Sequence, residues 1–218
     1  MGKNESDIYY RSFMFDELFI NTFSLVKNFT LVDVTRLYNL WQFIEQSQKL
    51  APGAYLEVGV WRGGSGCLMA KKLQLLNDSS TFYLCDTFQG VVNATDVDTF
   101  YSGGEHADTD IAIVEHLAGM MKLENIEILQ GIFPKDTATE VTDERFRFCH
   151  IDVDVYQSGK DVLEWIWDRL VPGGIIVFDD YGFNTCPGIT KLVEEISKDK
   201  DKLFIWNSNG QGYIIKNY

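Results

Sequence analysis

From Ala54 onward, short apolar runs alternate with amphipathic stretches, and this alternation constrains the fold more than any other feature of the sequence. The runs AYLEVGV, TFYLCDTF, IEILQGIF, RFRFCHIDV and GGIIVFDD have the length and apolar content of strands buried on both faces. Helical periodicity lies between them, from Gly66 to about Leu76, from about Asp108 to Leu123 and from about Ser158 to Leu170, while a linking stretch through Thr142 follows the third run. This order predicts an α/β fold built on a mostly parallel sheet with helices on both faces. After a further helix over about Ile189 to Ser197, LFIWNSN and GQGYIIKN flank a Gly-containing turn. That is hairpin chemistry, so the sheet is expected to end in an antiparallel strand.

Before the first strand, Phe13, Leu18, Phe19, Phe23 and Val26, then Val34, Leu37, Leu40, Trp41 and Ile44, recur at helical steps until Pro52-Gly53 breaks the pattern. Residues 1–50 are therefore expected to form a helical lid or oligomerisation segment of a homo-oligomer, and residues 51–218 the α/β domain proper. At 218 residues the chain has room for one such domain. Acids outnumber bases 32 to 19, a net charge of −13, which argues against a nucleic-acid partner. No apolar stretch approaches the ~18 residues of a membrane span, and the first residues lack an apolar signal core, so a cytoplasmic protein is expected. Cys67, Cys85, Cys149 and Cys186 contain no C-x-x-C pair and read as reduced core thiols.

Ligands of open parallel sheets sit beyond the carboxyl ends of the strands. Past the first strand lies Glu57-Val-Gly59-Val-Trp-Arg-Gly63-Gly64-Ser65-Gly66. A phosphate-cradling P-loop would need Lys-Ser/Thr after the last Gly, and a dinucleotide fingerprint would need Gly where Trp61 stands. The E-x-G-x-x-x-G loop of S-adenosylmethionine sites remains, beside a plain strand-to-helix turn. At the end of the second strand, Asp86, followed by Thr87 and Phe88, is placed to accept hydrogen bonds from ribose hydroxyls. It suits a nicotinamide cofactor as well as S-adenosylmethionine, and also a turn or cap. Gly131, followed by Ile132, leaves room for an adenine ring at the third strand's end or simply makes a turn.

The sharpest feature is acidic. The fourth strand ends in His150-Ile-Asp152-Val-Asp154 and the fifth in Phe178-Asp179-Asp180-Tyr181, so four carboxylates converge if the strands are neighbours. Carboxylates that close raise one another's pKa unless a positive charge intervenes, and a hard divalent cation such as Mg²⁺ with oxygen ligands would supply it. The alternative is a set of separate solvated loop acids. The histidines show no ligand spacing, and His150 reads as a satisfied core residue.

The strings EVGVWRGGS, DTFQG, GIFPKDT, HIDVDVYQS and VPGGIIVFDDYG, in this order, resemble the macrocin O-methyltransferase family, and the likeness runs from about Phe29 to the C-terminus. The resemblance implies a class I (Rossmann-like) fold and Mg²⁺-dependent transfer of a methyl group from S-adenosylmethionine to a hydroxyl of a sugar or glycoside. It implies cofactor contacts at Glu57, Gly59, Ser65, Asp86, Phe88, Gly131 and Ile132, metal ligands at Asp152, Asp179 and Asp180, and a general base at Asp154. The loop from Gln89 to Asp108 does not align with the family and is expected to shape the acceptor pocket. An acceptor with adjacent hydroxyls would suit a metal that orients two oxygens. Two rival readings remain: an aspartyl phosphatase with Asp152 as nucleophile, and a scaffold that binds the cofactor without turnover.

Overall fold

Strand β1 (Ala54–Val58) is buried along its whole length, between β2 (Phe82–Asp86) and β4 (Phe146–Ile151), both parallel to it. The computed structural model describes residues 12–143 and 145–217. With β3 (Ile126–Gln130), β5 (Leu170–Phe178), β6 (Lys202–Trp206) and β7 (Gly212–Lys216), the seven-stranded sheet has the order β3-β2-β1-β4-β5-β7-β6. Strand β7 runs antiparallel to both neighbours, so the last strand is the expected antiparallel one, inserted between β5 and the edge strand β6.

Side chains alternate across the sheet as the pleat requires. Tyr55, Phe82 and Leu84 join one core cluster, and Leu56, Tyr83 and Cys85 the other. The phase reverses inside β4, where a register shift between Phe146 and Phe148 sends these two rings to opposite faces although they are two residues apart. The same irregularity lets β5 start at Leu170, ahead of the expected Gly173. Pro172, Gly173 and Gly174 fall within the shifted stretch, where a residue without an N–H costs the ladder nothing.

Helices α1 (Glu17–Val26), α2 (Val34–Ser47), α3 (Gly64–Leu75) and α4 (Ile111–Met121) cover one face, and α5 (Tyr156–Trp167) and α6 (Pro187–Ile196) the other. Asp16, Asp33 and Asp110 cap α1, α2 and α4 by accepting backbone N–H bonds in the first turn. Asp16 also accepts a bond from the indole of Trp41 at 3.0 Å, which ties the start of α1 to α2. Phe19, Val26, Leu37, Leu40, Trp41 and Ile44 are fully buried in the same cluster as Tyr55, Phe82 and Val177. The apolar residues in excess of one helical face are used to pack α1 onto α2 and α2 onto the sheet. Residues 1–11 of the expected helical segment lie outside the described residues. All four cysteines are free and buried, and among the described residues no helix is long and apolar enough to cross a membrane.

Candidate active site

The strand ends meet at a cavity of about 250 Å³ whose wall includes Gly59, Ser65, Asp86, Gly131, Ile132 and the four aspartates 152, 154, 179 and 180. On leaving β1 the chain turns at Gly59 with φ +89°, and a Cβ there would lie 1.7 Å from the Asp152 carbonyl oxygen. Only glycine permits both the dihedral and the approach. Trp61 and Gly63 also have positive φ, after which α3 begins with Ser65 almost fully buried. Asp86 braces this turn: Oδ2 accepts from the N–H groups of Val60 at 2.6 Å and Trp61 at 2.8 Å, and Oδ1 from that of Phe88 at 2.7 Å. Three bonds leave the carboxylate with acceptor capacity toward the cavity.

Two of the expected cofactor residues are placed differently. Phe88 is buried and does not line the cavity, and Glu57 is fully buried beneath the turn. Glu57 Oε1 meets His150 Nδ1 at 2.8 Å, while Oε2 has no hydrogen-bond partner among the described residues and lies 2.3 Å from where a Gly66 Cβ would stand. The other His150 nitrogen, Nε2, lies 3.3 Å from Asp179 Oδ1. Burial disfavours the imidazolium, but the hydrogen bonds to Asp179 and Glu57 outweigh it and raise His150 to about 10. With one ring nitrogen against Glu57 and the other against Asp179, His150 links the buried glutamate to the acidic cluster.

The four aspartates differ in their partners. Asp179 accepts from Gln211 Nε2 at 2.7 Å and forms an ion pair with Arg36 of α2. Asp180 Oδ2 accepts from the backbone N–H of Asp154 at 2.9 Å, and Asp154 is held at φ +65°. Asp152 is half-buried at the cavity wall, and among the described residues no side chain donates a hydrogen bond to its carboxylate. Burial, then the charges of Asp179 and Asp180, push Asp152 well above the usual carboxylate range. Burial, then Asp154 and Asp179, do the same to Asp180, and burial raises Asp154. Two sets have ligand atoms within 4.8 Å of one another: His150, Asp152 and Asp179, and Asp154, Asp180 and Cys186. Among the described residues no such set joins Asp152, Asp179 and Asp180. A carboxylate that receives no side-chain hydrogen bond among the described residues and lies among like charges fits a hard divalent cation.

Sequence reasoning missed Arg36, Tyr101 and Cys186, all on the cavity wall. Arg36 pairs with a residue 143 positions away, and its guanidinium also lies 4.9 Å from the centre of the Phe183 ring. Burial lowers its affinity for the proton, but the charge of Asp179, then the Asp33 bond and Asp152, outweigh it. Tyr101 and His106 enter from the loop that resisted alignment, with ring centres 6.0 Å apart. Their signal was only indirect: a long polar loop at the carboxyl end of a strand.

A solved structure of the O-methyltransferase NovP superposes with a TM-score of 0.74 at 25% identity, covering 87% of this chain and 83% of that one. Over 171 residues the chain is 33% identical to mycinamicin III 3''-O-methyltransferase of Micromonospora griseorubida, covering 72% of this chain and 66% of the relative. It is 30% identical over 168 residues to 8-demethyl-8-(2,3-dimethoxy-alpha-L-rhamnosyl)-tetracenomycin-C 4'-O-methyltransferase of Streptomyces olivaceus, covering 72% and 64%. The chain thus spans slightly less than two thirds of the length of these curated relatives. The fold is that of class I methyltransferases. The macrocin-O-methyltransferase (TylF) family model matches residues 26–203, from the end of α1 into β6 and across every strand end described above, and the chain belongs to that family.

Proposed function

We propose that this protein is an S-adenosylmethionine-dependent O-methyltransferase that acts, with a divalent cation, on a hydroxyl of a sugar or glycoside. The observation that carries the reading is Asp152, a carboxylate on the cavity wall to which no side chain among the described residues donates, with Asp154 two residues on and Asp179 and Asp180 also on that wall. The name of the Streptomyces olivaceus relative, an O-methyltransferase of a rhamnosyl-tetracenomycin, supports the sugar class.

Bound S-adenosylmethionine would supply a methyl group on a sulfonium sulfur. Asp86 would accept from the ribose hydroxyls with its remaining lone-pair capacity, while Gly59 and Ser65 let the chain approach the ligand closely. Gly131 and Ile132 would face the adenine. Glu57 acts from beneath the turn, by holding His150 and through it Asp179. A divalent cation held by Asp152, Asp179 and Asp180 would supply positive charge against the alkoxide that develops as the acceptor loses its proton. Asp154 takes that proton, so rate comes from positioning, proton transfer and electrostatics with no covalent enzyme intermediate. Thr30, Leu31 and Val32, which join α1 to α2, stand on the cavity wall and support a lid role for this short connection. The exposed apolar side chains Leu18, Ile20 and Leu25 of α1 support a homo-oligomer, which sedimentation would test.

The deciding experiment is a screen of nucleotide sugars, glycosides and catechols for S-adenosylhomocysteine release, with Mg²⁺ and with chelator. Glycoside-dependent, chelator-sensitive release is expected. Cofactor binding without release on any acceptor would favour a scaffold, and phosphate release from an aryl phosphate would favour a phosphatase.

A further inference from the structure

An antiparallel strand begins where its parallel neighbours end, so the start of β7 comes to the carboxyl end of β5 and to the rim that carries the site. The β5–β7 pairing reaches Phe178 opposite Gly212, and the next residue on each chain, Asp179 and Gln211, are brought side by side. Gln211 is fully buried, and its Nε2 donates to Asp179 Oδ1 at 2.7 Å. His150 Nε2 lies 3.3 Å from the same oxygen, at the long limit of a hydrogen bond, so Gln211 is the stronger hold on it.

The direction of the Gln211 amide follows from the groups behind it. Asn39 of α2 donates to the Tyr213 hydroxyl at 3.2 Å, and Asn207 Nδ2 donates to it as well. With its oxygen accepting from two amides, the phenol turns its own proton to Gln211 Oε1, 3.2 Å away, which also accepts from Asn209 Nδ2 at 3.2 Å. The oxygen end of the Gln211 amide is thereby committed to Tyr213 and the nitrogen end to Asp179. Asn39 lies one helical turn beyond Arg36 on the same face of α2, and Arg36 pairs with Asp179 Oδ2. We infer that Gln211 is a positioning residue for Asp179, fixing the orientation of that carboxylate on the cavity wall and so setting the affinity of the site for a divalent cation, and that Tyr213 acts through Gln211 by fixing its amide. The inference rests on the reading of Asp179 as a metal ligand. Without the Gln211 bond, what remains on the carboxylate among the described residues is the Arg36 pair on Oδ2 and the longer His150 contact on Oδ1, and the group is free to pivot about the first.

The test uses the full chain, crystallised without added metal, and Mn²⁺ as the cation probe, with the free ion followed by electron paramagnetic resonance. Gln211→Met keeps the volume and removes the donor, Gln211→Asn withdraws the amide by one methylene, and Tyr213→Phe removes the hydroxyl while keeping the ring that packs on Phe43 at 4.6 Å. In crystals of both Gln211 variants the Asp179 carboxylate is expected to leave its single orientation. The Mn²⁺ dissociation constant of Gln211→Met should rise about tenfold or more, as when other groups that orient metal ligands are removed, while S-adenosylmethionine affinity by calorimetry stays within about twofold. Tyr213→Phe should weaken Mn²⁺ binding by less, and the Gln211→Met, Tyr213→Phe double variant should be no worse than Gln211→Met, as expected when one residue acts through the other. An unmoved Asp179 in crystals of either Gln211 variant overturns the positioning role, and so does wild-type Mn²⁺ affinity in Gln211→Met. Multiplying losses in the double variant overturn the link from Tyr213. A wild-type chain that binds no Mn²⁺ sinks the metal reading instead, and the crystals then decide the positioning role by themselves.

Discussion

Gly59 and Asp152 are in backbone contact: the Cβ that Gly59 lacks would sit 1.7 Å from the Asp152 carbonyl oxygen. The turn that follows β1 and the acidic turn that follows β4 are therefore set against each other with no side chain between them. Gly59→Ala would force a positive φ, costing roughly 1–3 kcal/mol, and would also drive the two turns apart. We expect a lowered denaturation midpoint together with loss of S-adenosylmethionine binding. A variant with wild-type cofactor affinity by calorimetry would show that the contact is not needed to shape the site.

Asp86→Ala should weaken S-adenosylmethionine binding for two reasons. It removes the acceptor proposed for the ribose hydroxyls, and it releases the N–H groups of Val60, Trp61 and Phe88 that the carboxylate now holds. Unpaired polar groups cost about 1–3 kcal/mol, so the dissociation constant should rise on the order of tenfold to a hundredfold. Unchanged affinity would remove Asp86 from the cofactor site.

The strands and their terminal acids were legible in the sequence because burial on both faces leaves continuous apolar runs, and a residue just past such a run has one place to go in a parallel sheet. Asp152, Asp179 and Asp86 reach the cavity for that reason. Arg36 was not legible, since nothing local marks a partner 143 residues away. Neither was the burial of Glu57: a strand residue facing a helix start needs a glycine there to make room, and Gly66 does this only in three dimensions. The loop carrying Asp98 and Tyr101 is organised by bonds to α5 and within itself, which have no sequence period.

Acid stability should depend in part on Asp78. Its carboxylate meets Arg147 at 2.7 Å, and Arg147 also bonds the Tyr55 hydroxyl at 3.2 Å and the Ala51 carbonyl at 2.9 Å. Burial raises the Asp78 pKa, but bonds from Ser80 and Gln48 and the charge of Arg147 outweigh it and hold it below the usual carboxylate range. A depressed carboxylate contributes stability above its unfolded pKa of about 3.9 and loses it as pH falls through the folded value. Asp78→Asn should therefore cost on the order of 1 kcal/mol at neutral pH, allowing for solvent screening. The difference from wild type should vanish at acid pH. A gap in denaturation midpoint that does not narrow as the pH falls below the unfolded value of about 3.9 would contradict this account.

The N-terminal helices should prove indispensable to folding. Phe19 is fully buried, with ring contacts to Tyr38 at 4.8 Å and Trp41 at 5.7 Å. Phe19→Ala should cost about 3–5 kcal/mol, the range for emptying a buried aromatic site. Deletion through Asn28, which removes Phe19, Val26 and the Asp16 bond to Trp41, should cost more. Chemical denaturation measures both, and a deletion variant with the wild-type midpoint would mean that α1 is dispensable.

The two aspartates that follow β4 should fail in different ways. Asp152 has no donor of its own among the described residues, so Asp152→Asn should chiefly remove a metal ligand. Its defect should appear as weaker Mg²⁺ binding by calorimetry and as activity that high Mg²⁺ partly restores. The backbone N–H of Asp154 bonds Asp180, a contact that an Asn side chain leaves in place. Asp154→Asn should therefore keep metal and cofactor binding yet lose turnover about 10²–10⁴-fold, since an amide cannot take the hydroxyl proton. Rescue by metal separates the two roles. If Mg²⁺ restores Asp154→Asn and not Asp152→Asn, the assignments are exchanged; if chelation leaves the wild type fully active, the four acids have some other task.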